Sequence, residues 1–299
     1  MLPPRSTSTC PVLAPDTIWL RVRSAEMSEP LPPAEWGLVD PSVAEPGEDL
    51  VAIGGGLDPG TLVSAYRQGL FPMHVAVHGS GGVEALGWWS PDPRGVLDPA
   101  SLIVSRSLAS SARHMDTSVD QCFGNVVRSC ADPNRPHGWI TEEFVDAYAE
   151  LHRRGYAHSI EVWQDDELVG GLYGVEVGGL FAGESMFHRR RDASKVALVA
   201  LVEILRACPG ERLIDVQWRT DQLASLGAIE ITRAEYLAKL ATVLNEEPCL
   251  GGDTAASKHY SPGLLNREAS LTTTTVSAFR PCSQPVCKCT TAIPMTRQP

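Results

Sequence analysis

The chain has 299 residues, of which 43% are hydrophobic and 20% are charged. That is enough apolar sequence for one large or two modest globular domains, and no apolar run approaches the roughly 20 residues that cross a bilayer. A net charge of −11 and a pI of about 5.2 exclude the basic profile of a strong non-specific nucleic-acid binder, but not a local basic patch. The eight cysteines lack the spacing of a disulfide framework or a zinc site. We therefore expect reduced thiols, no metal, no signal peptide and a cytoplasmic protein.

The two ends of the chain differ in composition from its middle. Residues 1–27 are rich in Pro, Ser and Thr without a hydrophobic period, which predicts a disordered extension or a natural start at Met27. Residues 246–299 contain Thr272–Thr275, scattered prolines and a Cys-Lys-Cys. A segment of this kind cannot bury a core, so we expect an atypical, disordered tail.

The first structured region begins with the apolar run Leu50–Gly56, which ends in three glycines. The Gly-Lys-Ser/Thr of a phosphate loop does not follow, so we interpret it as a tight turn. Asp58 then caps a helix with Pro59 at its first position, and Gly69 ends it. Trp88 and Trp89 point to opposite sides of an extended chain, so at most one is plain core and the other is a candidate stacking surface or domain junction.

From about Arg94 the pattern alternates between strand and helix, which predicts an α+β or α/β domain of roughly 150 residues. Thr141 caps a helix that ends at Gly155, and the Thr232 to Glu235 capping box begins another. The remaining predicted elements are helices over Ser105–Arg113, Val119–Cys130 and Val196–Leu205, strands over His158–Trp163 and Leu213–Trp218, and a short helix from Thr220 to Gly227.

Two apolar runs, Leu172–Val177 and Leu180–Phe187, flank Gly178-Gly179 and predict a hairpin with a two-residue turn. This register places Tyr173 opposite Glu184. Glu184 is then a carboxylate among apolar neighbours, because alternation puts these residues on one face: Leu180, Ala182, Glu184 and Met186.

On the next strand, Asp215 and Gln217 share a face at a separation of roughly 7 Å. Burying such groups without partners costs about 1–3 kcal/mol each, so they need hydrogen bonds or a function. Together with Glu184 they suit acyl transfer without a covalent intermediate, in which a polar group meets an incoming amine and donors meet the developing oxyanion. A buried polar network that joins two strands fits the pattern equally well.

The strand Leu180–Phe187 and the helix after it resemble the cofactor-binding unit of N-acetyltransferases, where a glycine-rich turn cradles pyrophosphate. The corresponding turn, His188–Lys195, contains no glycine. It is instead basic, which suits a nucleic-acid backbone held by side chains, although a solvated loop is the alternative. The candidate phosphate contacts are Arg189, Arg190, Arg191 and Lys195.

A series of short segments, in order between about Pro30 and Leu244, resembles the leucyl/phenylalanyl-tRNA–protein transferase family. No segment is diagnostic alone, but this many in register is specific. The segments are Leu50–Pro59, Ala65–Pro72, Trp88–Arg94, Ser105–Ser107, Gly138–Thr141, His158–Trp163, Phe181–Phe187, Ala193–Lys195 and Ala224–Ala228.

The resemblance implies an α+β fold with a small N-terminal domain, residues 28–92, and a GNAT-like domain, residues 93–245, whose mixed sheet is flanked by helices. It implies a cytoplasmic, monomeric aminoacyltransferase that needs no cofactor or metal. Such an enzyme moves Leu or Phe, and less readily Met, from aminoacyl-tRNA to the α-amine of proteins with N-terminal Arg or Lys. The product is marked for N-end rule degradation.

The resemblance also assigns site residues by position. Glu184 and Gln217 match the polar residues at the aminoacyl ester, with Asp215 behind Gln217, and Met73 stands where the family often has Trp. The aromatic residues around the 3′-terminal adenosine and aminoacyl group are Tyr66, Trp139 and Tyr148. The residues that line the apolar side-chain pocket are Leu172, Phe181 and Leu205.

Some alternatives remain open from the sequence. Asp215 and Gln217 either act as a polarised base pair on the amine, or the enzyme positions a substrate that assists itself. An acyl-CoA-dependent small-molecule N-acyltransferase is the alternative enzyme, and a tRNA-binding or degradation-adaptor module is the non-enzymatic alternative.

Overall fold

The computed structural model describes residues 30–76, 84–133, 139–250 and 293–294. Every helix among these residues is too short or too polar to span a bilayer. The predicted extension over residues 1–27 lies outside the described residues, as does most of the tail. The domain boundaries proposed from the sequence stay predictions.

Three strands between residues 50 and 89, together with the two-residue strand Ile293–Pro294 (β11), form a four-stranded sheet in the order β11-β1-β3-β2. β2 and β1 each pair antiparallel with β3, and the two-residue β11 adds a parallel edge beside β1. The strands are β1 (Leu50–Ile53), β2 (Phe71–Ala76), β3 (Glu84–Trp89) and β11 (Ile293–Pro294).

The larger region is a seven-stranded mixed sheet in the order β10-β4-β9-β8-β7-β6-β5. Only the β8–β9 pairing is parallel in this sheet. The strands are β4 (Arg94–Leu97), β5 (Asp116–Val119), β6 (Ala157–Gln164), β7 (Glu167–Val177), β8 (Leu180–His188), β9 (Leu213–Gln217) and β10 (Ile229–Ile231).

Helices flank the sheets, which confirms the predicted α+β class. One core cluster contains buried residues of α1, α3, α4 and α7, and a second contains those of α2 and α5. The helices are α1 (Pro59–Arg67), α2 (Arg106–Ala112), α3 (Phe123–Cys130), α4 (Glu142–Arg153), α5 (Ala193–Ala207), α6 (Asp221–Ala224) and α7 (Arg233–Val243), with 3₁₀ turns at Pro41–Val43 and Pro99–Ser101.

Local sequence signals account for several of these boundaries. The Asp58 side chain accepts a hydrogen bond from the Thr61 amide at the start of α1, and Thr232 and Glu235 form the predicted capping box of α7. These bonds satisfy amides that otherwise lack a partner at a helix start. The helix predicted over Val119–Cys130 is wrong in its first part, because β5 runs to Val119 and Asp120 then takes a left-handed φ of 57°.

The predicted hairpin forms with its two-residue turn, because Val177 pairs with Leu180. Its glycines serve different purposes. Gly178 has a φ of +60°, whereas a Cβ on Gly179 would collide with the carbonyl oxygen of Glu211.

The register prediction beyond the turn is wrong, because a β-bulge interrupts β8 at Glu184. Gly174 pairs with Gly183 and Tyr173 pairs with Ser185, so Glu184 has no partner directly opposite. A bulge adds one residue and so reverses the alternation of faces. Met186 consequently packs against the α5 cluster and does not share the face of Glu184.

The expectation of reduced thiols is wrong for Cys208 and Cys249, which form a disulfide, and for Cys122, which is also disulfide-bonded. Cys249 and Leu250 are buried although they lie beyond the predicted boundary at residue 245. Both backbone amides donate to the buried carboxylate of Glu176, at 2.7 and 2.9 Å. This contact anchors the start of the tail on the main sheet.

Candidate active site

A cavity of about 260 Å³ opens where β2 meets β8, β9 and α5. Its lining is largely apolar, and Glu184 and Gln217 supply polar groups. The lining residues are Phe71, Pro72, Met73, Trp139, Leu172, Phe181, Gly183, Glu184, Ser185, Met186, Leu198, Leu201, Ile214, Val216, Gln217, Trp218, Thr220 and Leu223. An apolar cavity with few polar groups is the usual form of a small-ligand site.

Glu184 reaches this cavity from the bulge in β8 and is held from behind by two tyrosines. Tyr66 of α1 donates to one carboxylate oxygen at 2.8 Å, and Tyr148 of α4 donates to the other at 2.7 Å. The two phenolic oxygens are themselves 2.9 Å apart. Three elements distant in sequence therefore fix one carboxyl group.

Burial raises the pKa of Glu184 to about 7, while the hydrogen bonds from Tyr148 and Tyr66 lower it. The same burial raises the pKa of both phenols well above their usual value, so they stay protonated donors. A carboxyl group with a pKa near neutrality in a cavity is a candidate for proton transfer.

Gln217 lies at the end of β9, beside a second bulge. Gly95 pairs with Gln217 and Val96 with Asp215, so Val216 is the extra residue. Gln217 has a left-handed φ of 55°, and a Cβ on Gly95 would lie 2.8 Å from the Arg219 amide. Glycine is thus required for the strand to pass this turn.

The side-chain amide nitrogen of Gln217 lies at the cavity without a hydrogen-bond partner among the described residues. The residue is 7% exposed, and its Nε2 is buried and unpaired within the described part of the chain. An unsatisfied buried donor costs about 1–3 kcal/mol. Such a group in a cavity wall indicates a ligand acceptor atom at this position.

Asp215 lies behind Gln217, but it is committed to other partners. Arg94 donates to its two oxygens at 2.9 and 2.6 Å, and Tyr236 donates at 2.9 Å. Its contact with Gln217 is to the backbone amide, at 3.0 Å. Asp215 therefore fixes the Gln217 turn, and the structure does not bring it to the Gln217 side chain as a polarised base pair requires.

Arg94 was not singled out by the sequence analysis, although it ends a segment of the family resemblance. It is fully buried, and its remaining donor reaches the Gly69 carbonyl at 3.1 Å. The guanidinium thus joins the end of α1 to β4 and β9. A buried arginine beside a strand that carries an aspartate is the signal that indicates such a pair.

Only some of the residues that the resemblance assigns to the aminoacyl group and the adenosine line the cavity. Leu172, Phe181 and Trp139 line the cavity, whereas Leu205 lies a turn beyond Leu201 and is not among the lining residues. Its burial is in the second core cluster. Tyr66 and Tyr148 lie behind Glu184 and outside the lining, so they are placed to hold the carboxyl group.

Both neighbouring tryptophans are core residues, contrary to the prediction that at most one is. Trp88 and Trp89 are 0% and 6% exposed, and their indoles donate to the carbonyls of Gly54 and Met73 at 2.8 and 3.0 Å. The exposed aromatic at the cavity is instead Trp218, at 39%.

Trp218 is held in place from three sides. Its ring meets Phe71 edge-on at 5.3 Å and Trp89 at 6.2 Å, and its indole donates to Asp49 at 3.1 Å. Sequence reasoning missed it, although a tryptophan directly after Gln217 was visible. A fixed, exposed indole is a ready surface for stacking.

The basic turn after β8 is partly structural. Arg189 donates to the Leu168 carbonyl at 2.8 Å and to Ser129 at 3.0 Å. Arg190 and Arg191 lie 3.5 Å from Glu167 and 3.6 Å from Asp192, with Arg191 86% exposed. Lys195 lies 3.9 Å from Asp192, so solvated ion pairs occupy the turn.

Asp120, His152 and His158 form a cluster whose possible ligand atoms lie within 4.8 Å of one another. The ring nitrogens of His158 already meet Asp120 at 2.7 Å and the Gly155 carbonyl at 3.2 Å. Although burial lowers the pKa of His158, Asp120 raises it overall. This arrangement fits a doubly hydrogen-bonded histidine and not a metal ligand.

Comparisons with known proteins show the family of the chain. The family model described as leucyl/phenylalanyl-tRNA protein transferase matches residues 96–241, and that of its N-terminal domain matches residues 55–92. The transferase of that name from Anaeromyxobacter sp. (strain K) is 50% identical over 225 residues, 74% of this chain and 93% of the relative. The one from Aromatoleum aromaticum is 48% identical over 221 residues, 73% and 88% of the two chains.

A solved structure of a GCN5-related N-acetyltransferase from Kribbella flavida matches with a TM-score of 0.31 and 13% identity, over 47% of this chain and 55% of that one. The fold assignment therefore rests on the topology described above. All the residues that line the cavity lie within residues 55–92 and 96–241, the ranges that the two family models match. The chain belongs to the leucyl/phenylalanyl-tRNA–protein transferase family, and it is an aminoacyltransferase that carries an aminoacyl group from tRNA to protein.

Proposed function

We propose that the protein transfers Leu or Phe, and less readily Met, to the α-amine of proteins with N-terminal Arg or Lys, and so marks them for N-end rule degradation in the cytoplasm. The observation that carries this is the apolar cavity ending at Glu184 and the unpaired amide of Gln217. The apolar side chain of the transferred Leu or Phe fills the cavity, and its ester carbonyl lies at the polar end, beside Glu184 and Gln217. The enzyme acts as a monomer in this proposal.

Chemically, the site needs to orient an ester and an amine. The Gln217 amide donates to the carbonyl oxygen, whose negative charge grows as the amine attacks. Because the turn that carries Gln217 is fixed by Asp215, little reorganisation is needed when that charge develops. Positioning of the two reactants supplies a further part of the rate.

The acyl-CoA alternative is less well supported by the start of α5. Asp192 occupies the cap position with a left-handed φ of 66°, and its carboxylate accepts from Ser111 at 2.9 Å. A carboxylate at this helix start repels the pyrophosphate that an acyl-CoA enzyme holds there. No glycine precedes it in the turn from His188.

The direct test is transfer of labelled Phe from charged tRNA to a peptide that begins with Arg, compared with one that begins with Ala. We expect product with the Arg peptide alone. Transfer to both peptides would contradict the acceptor specificity, and no transfer to either would contradict the function. Titration with CoA in a calorimeter should show no heat of binding, and binding there would favour the alternative enzyme.

The pocket assignment predicts that Leu172→Trp reduces Phe transfer strongly, by about tenfold or more, because the indole fills the space for the substrate side chain. The measurement is kcat/KM for Phe-tRNA and Leu-tRNA with the same acceptor peptide. Leu205→Met, a buried change outside the lining, is the matched control and should leave both rates close to wild type. Unchanged Phe and Leu rates for Leu172→Trp would place the pocket elsewhere.

We expect the exposed indole of Trp218 to stack on the 3′-terminal adenine. It would take over the role of the tryptophan that the family often has at the position of Met73. Base–aromatic stacking contributes about 1–3 kcal/mol per base, so Trp218→Ala should raise KM for aminoacyl-tRNA about 5- to 150-fold. Trp218→Phe keeps an aromatic face and should recover most of the affinity. A phenylalanine variant as weak as the alanine variant would show that the Asp49 bond, and not stacking, is what matters.

Arg190 and Arg191 test the contact of the basic turn with tRNA. If both side chains contact single-stranded phosphates, the double change Arg190→Ala with Arg191→Ala should make the negative slope of log K against log salt shallower by roughly 1.4. Arg189 is left intact because it binds the Leu168 carbonyl. Arg153→Ala on α4 changes an exposed charge outside the turn and serves as control. An unaltered slope would identify the turn as a solvated loop.

A further inference from the structure

The three oxygen groups of Glu184, Tyr66 and Tyr148 form a closed ring of hydrogen bonds. The contacts are 2.8 Å from Tyr66 to one carboxyl oxygen, 2.7 Å from Tyr148 to the other, and 2.9 Å between the two phenols. All three distances are normal for O–H···O bonds. The ring contains atoms from α1, α4 and β8, so its closure is a property of the fold.

Counting protons distinguishes two states of this ring. Three hydrogen bonds need three protons, and each phenol supplies only one. The third is present when Glu184 is a carboxylic acid. When Glu184 is ionised, both phenols donate to it and their own 2.9 Å contact is left without a proton. A ring with a proton in all three contacts therefore requires the neutral acid, in which one phenol accepts from the carboxyl group and donates to the other phenol.

Burial, hydrogen bonds and nearby charges act in opposite directions on the ionisation of Glu184. Asp215 on β9 disfavours the ionised form and Arg94 on β4 favours it, and these two are already paired with each other. Burial works against the carboxylate, whereas the phenols stabilise it. Tyr173 on β7 packs edge-on against Tyr148, with ring centroids 5.3 Å apart. Glu184 alone of the ring lines the cavity.

We propose that Glu184 acts as a proton-exchanging acid in acyl transfer, and that Tyr66 and Tyr148 are positioning residues that set its proton affinity. This inference rests on the proposed transfer to an α-amine. As the nitrogen–carbon bond forms and the ester carbon–oxygen bond breaks, one amine proton passes to a carboxyl oxygen. The proton already on the carboxyl group passes to the departing ribose oxygen, so Glu184 ends as the acid again.

The ring is suited to this exchange because it has two equivalent directions. A phenol both donates and accepts, so the three bonds can reverse together when the proton moves from one carboxyl oxygen to the other. An isolated buried carboxyl group lacks this device and would hold its proton too tightly at neutral pH. The phenols thus keep both protonation states within reach.

The first test is spectroscopic and does not depend on activity. Infrared difference spectra between pH 5.5 and pH 8.5 should show the carbonyl stretch of a protonated carboxyl group that is lost as pH rises, and Glu184→Gln should lack that component. The comparison with this variant is needed because burial also raises the pKa of Glu161 to about 7. Absence of a Glu184-dependent band at pH 5.5 would overturn the proposal.

The second test is the pH profile of kcat/KM. Activity requires the neutral α-amine, which forms above its pKa of about 7.7, and the acid form of Glu184, which is lost as pH rises. We expect a bell-shaped profile. Tyr66→Phe with Tyr148→Phe should move its alkaline limb to higher pH, because the change removes the two hydrogen bonds that lower the pKa of Glu184. Tyr156→Phe, in the same core cluster but outside the ring, should leave the limb in place.

The outcomes separate this inference from the function itself. Glu184→Gln should lower kcat about 10²- to 10⁴-fold and abolish the alkaline limb. If the limb persists in Glu184→Gln, the acid role is wrong although transfer to the Arg peptide stands. If the infrared band titrates as expected but no peptide is modified, Glu184 does exchange its proton near neutral pH, but the proposed acceptor is wrong and with it the role of Glu184 in that transfer.

Discussion

We expect Gln217→Ala to lower turnover about 10²- to 10³-fold, the usual cost of removing one donor to a developing oxyanion. The structure leaves the Gln217 Nε2 buried at the cavity without a partner within its described residues, so a substrate oxygen is the natural acceptor. In the proposed function the tRNA is also held by Trp218 and by the basic turn, which this change leaves intact. The dissociation constant for aminoacyl-tRNA should therefore change little.

Gln217→Glu is the matched variant for this prediction, because it keeps the shape of the side chain and loses the amide protons. Single-turnover transfer and filter binding of charged tRNA measure the two effects separately. A glutamate variant with full activity would show that shape alone is needed. Equal losses in turnover and in tRNA affinity would contradict a role in the chemical step.

The second large effect concerns stability. We expect Asp215→Ala to lower the free energy of unfolding by about 3–5 kcal/mol, because the change leaves the buried Arg94 guanidinium without its counter-charge. Both side chains are 1% exposed, so water cannot replace the lost oxygens. Urea denaturation followed by circular dichroism measures the change.

The double variant Arg94→Leu with Asp215→Leu is the decisive comparison for this pair. Replacing both charges with apolar groups removes the unpaired charge and should recover much of the lost stability. Its activity should nevertheless stay low, because the hydrogen bond from the backbone amide of Gln217 to the Asp215 carboxylate is lost. A double variant no more stable than Asp215→Ala would contradict the account of the unpaired guanidinium.

Much of the fold follows from short-range signals in the sequence. The Asp58 cap, the Gly178-Gly179 turn and the Thr232 capping box each involve residues within a few positions of one another, so local chemistry determines them. The same holds for the long apolar helix α5. The resemblance placed Glu184 and Gln217 at one site, and the structure brings both to one cavity.

The remaining features depend on contacts between distant segments. The bulges at Glu184 and Val216 arise from pairing with β7 and β4, and strict alternation along one strand cannot reveal them. The tyrosine ring and the Arg94–Asp215 pair join residues 36 to 121 positions apart. The exposure of Trp218 could not be predicted either, since it depends on how Phe71 and Trp89 pack around the indole.

The anchor of the tail on Glu176 has a consequence for how this chain can change over time. Its donors are the main-chain amides of residues 249 and 250, so side-chain replacements there leave both bonds available. Proline is the exception, because it has no amide hydrogen. What the anchor does require is the length of the path from the end of α7. Insertions or deletions between residues 244 and 248 are thus the changes that selection should remove, while substitutions in the same stretch can accumulate.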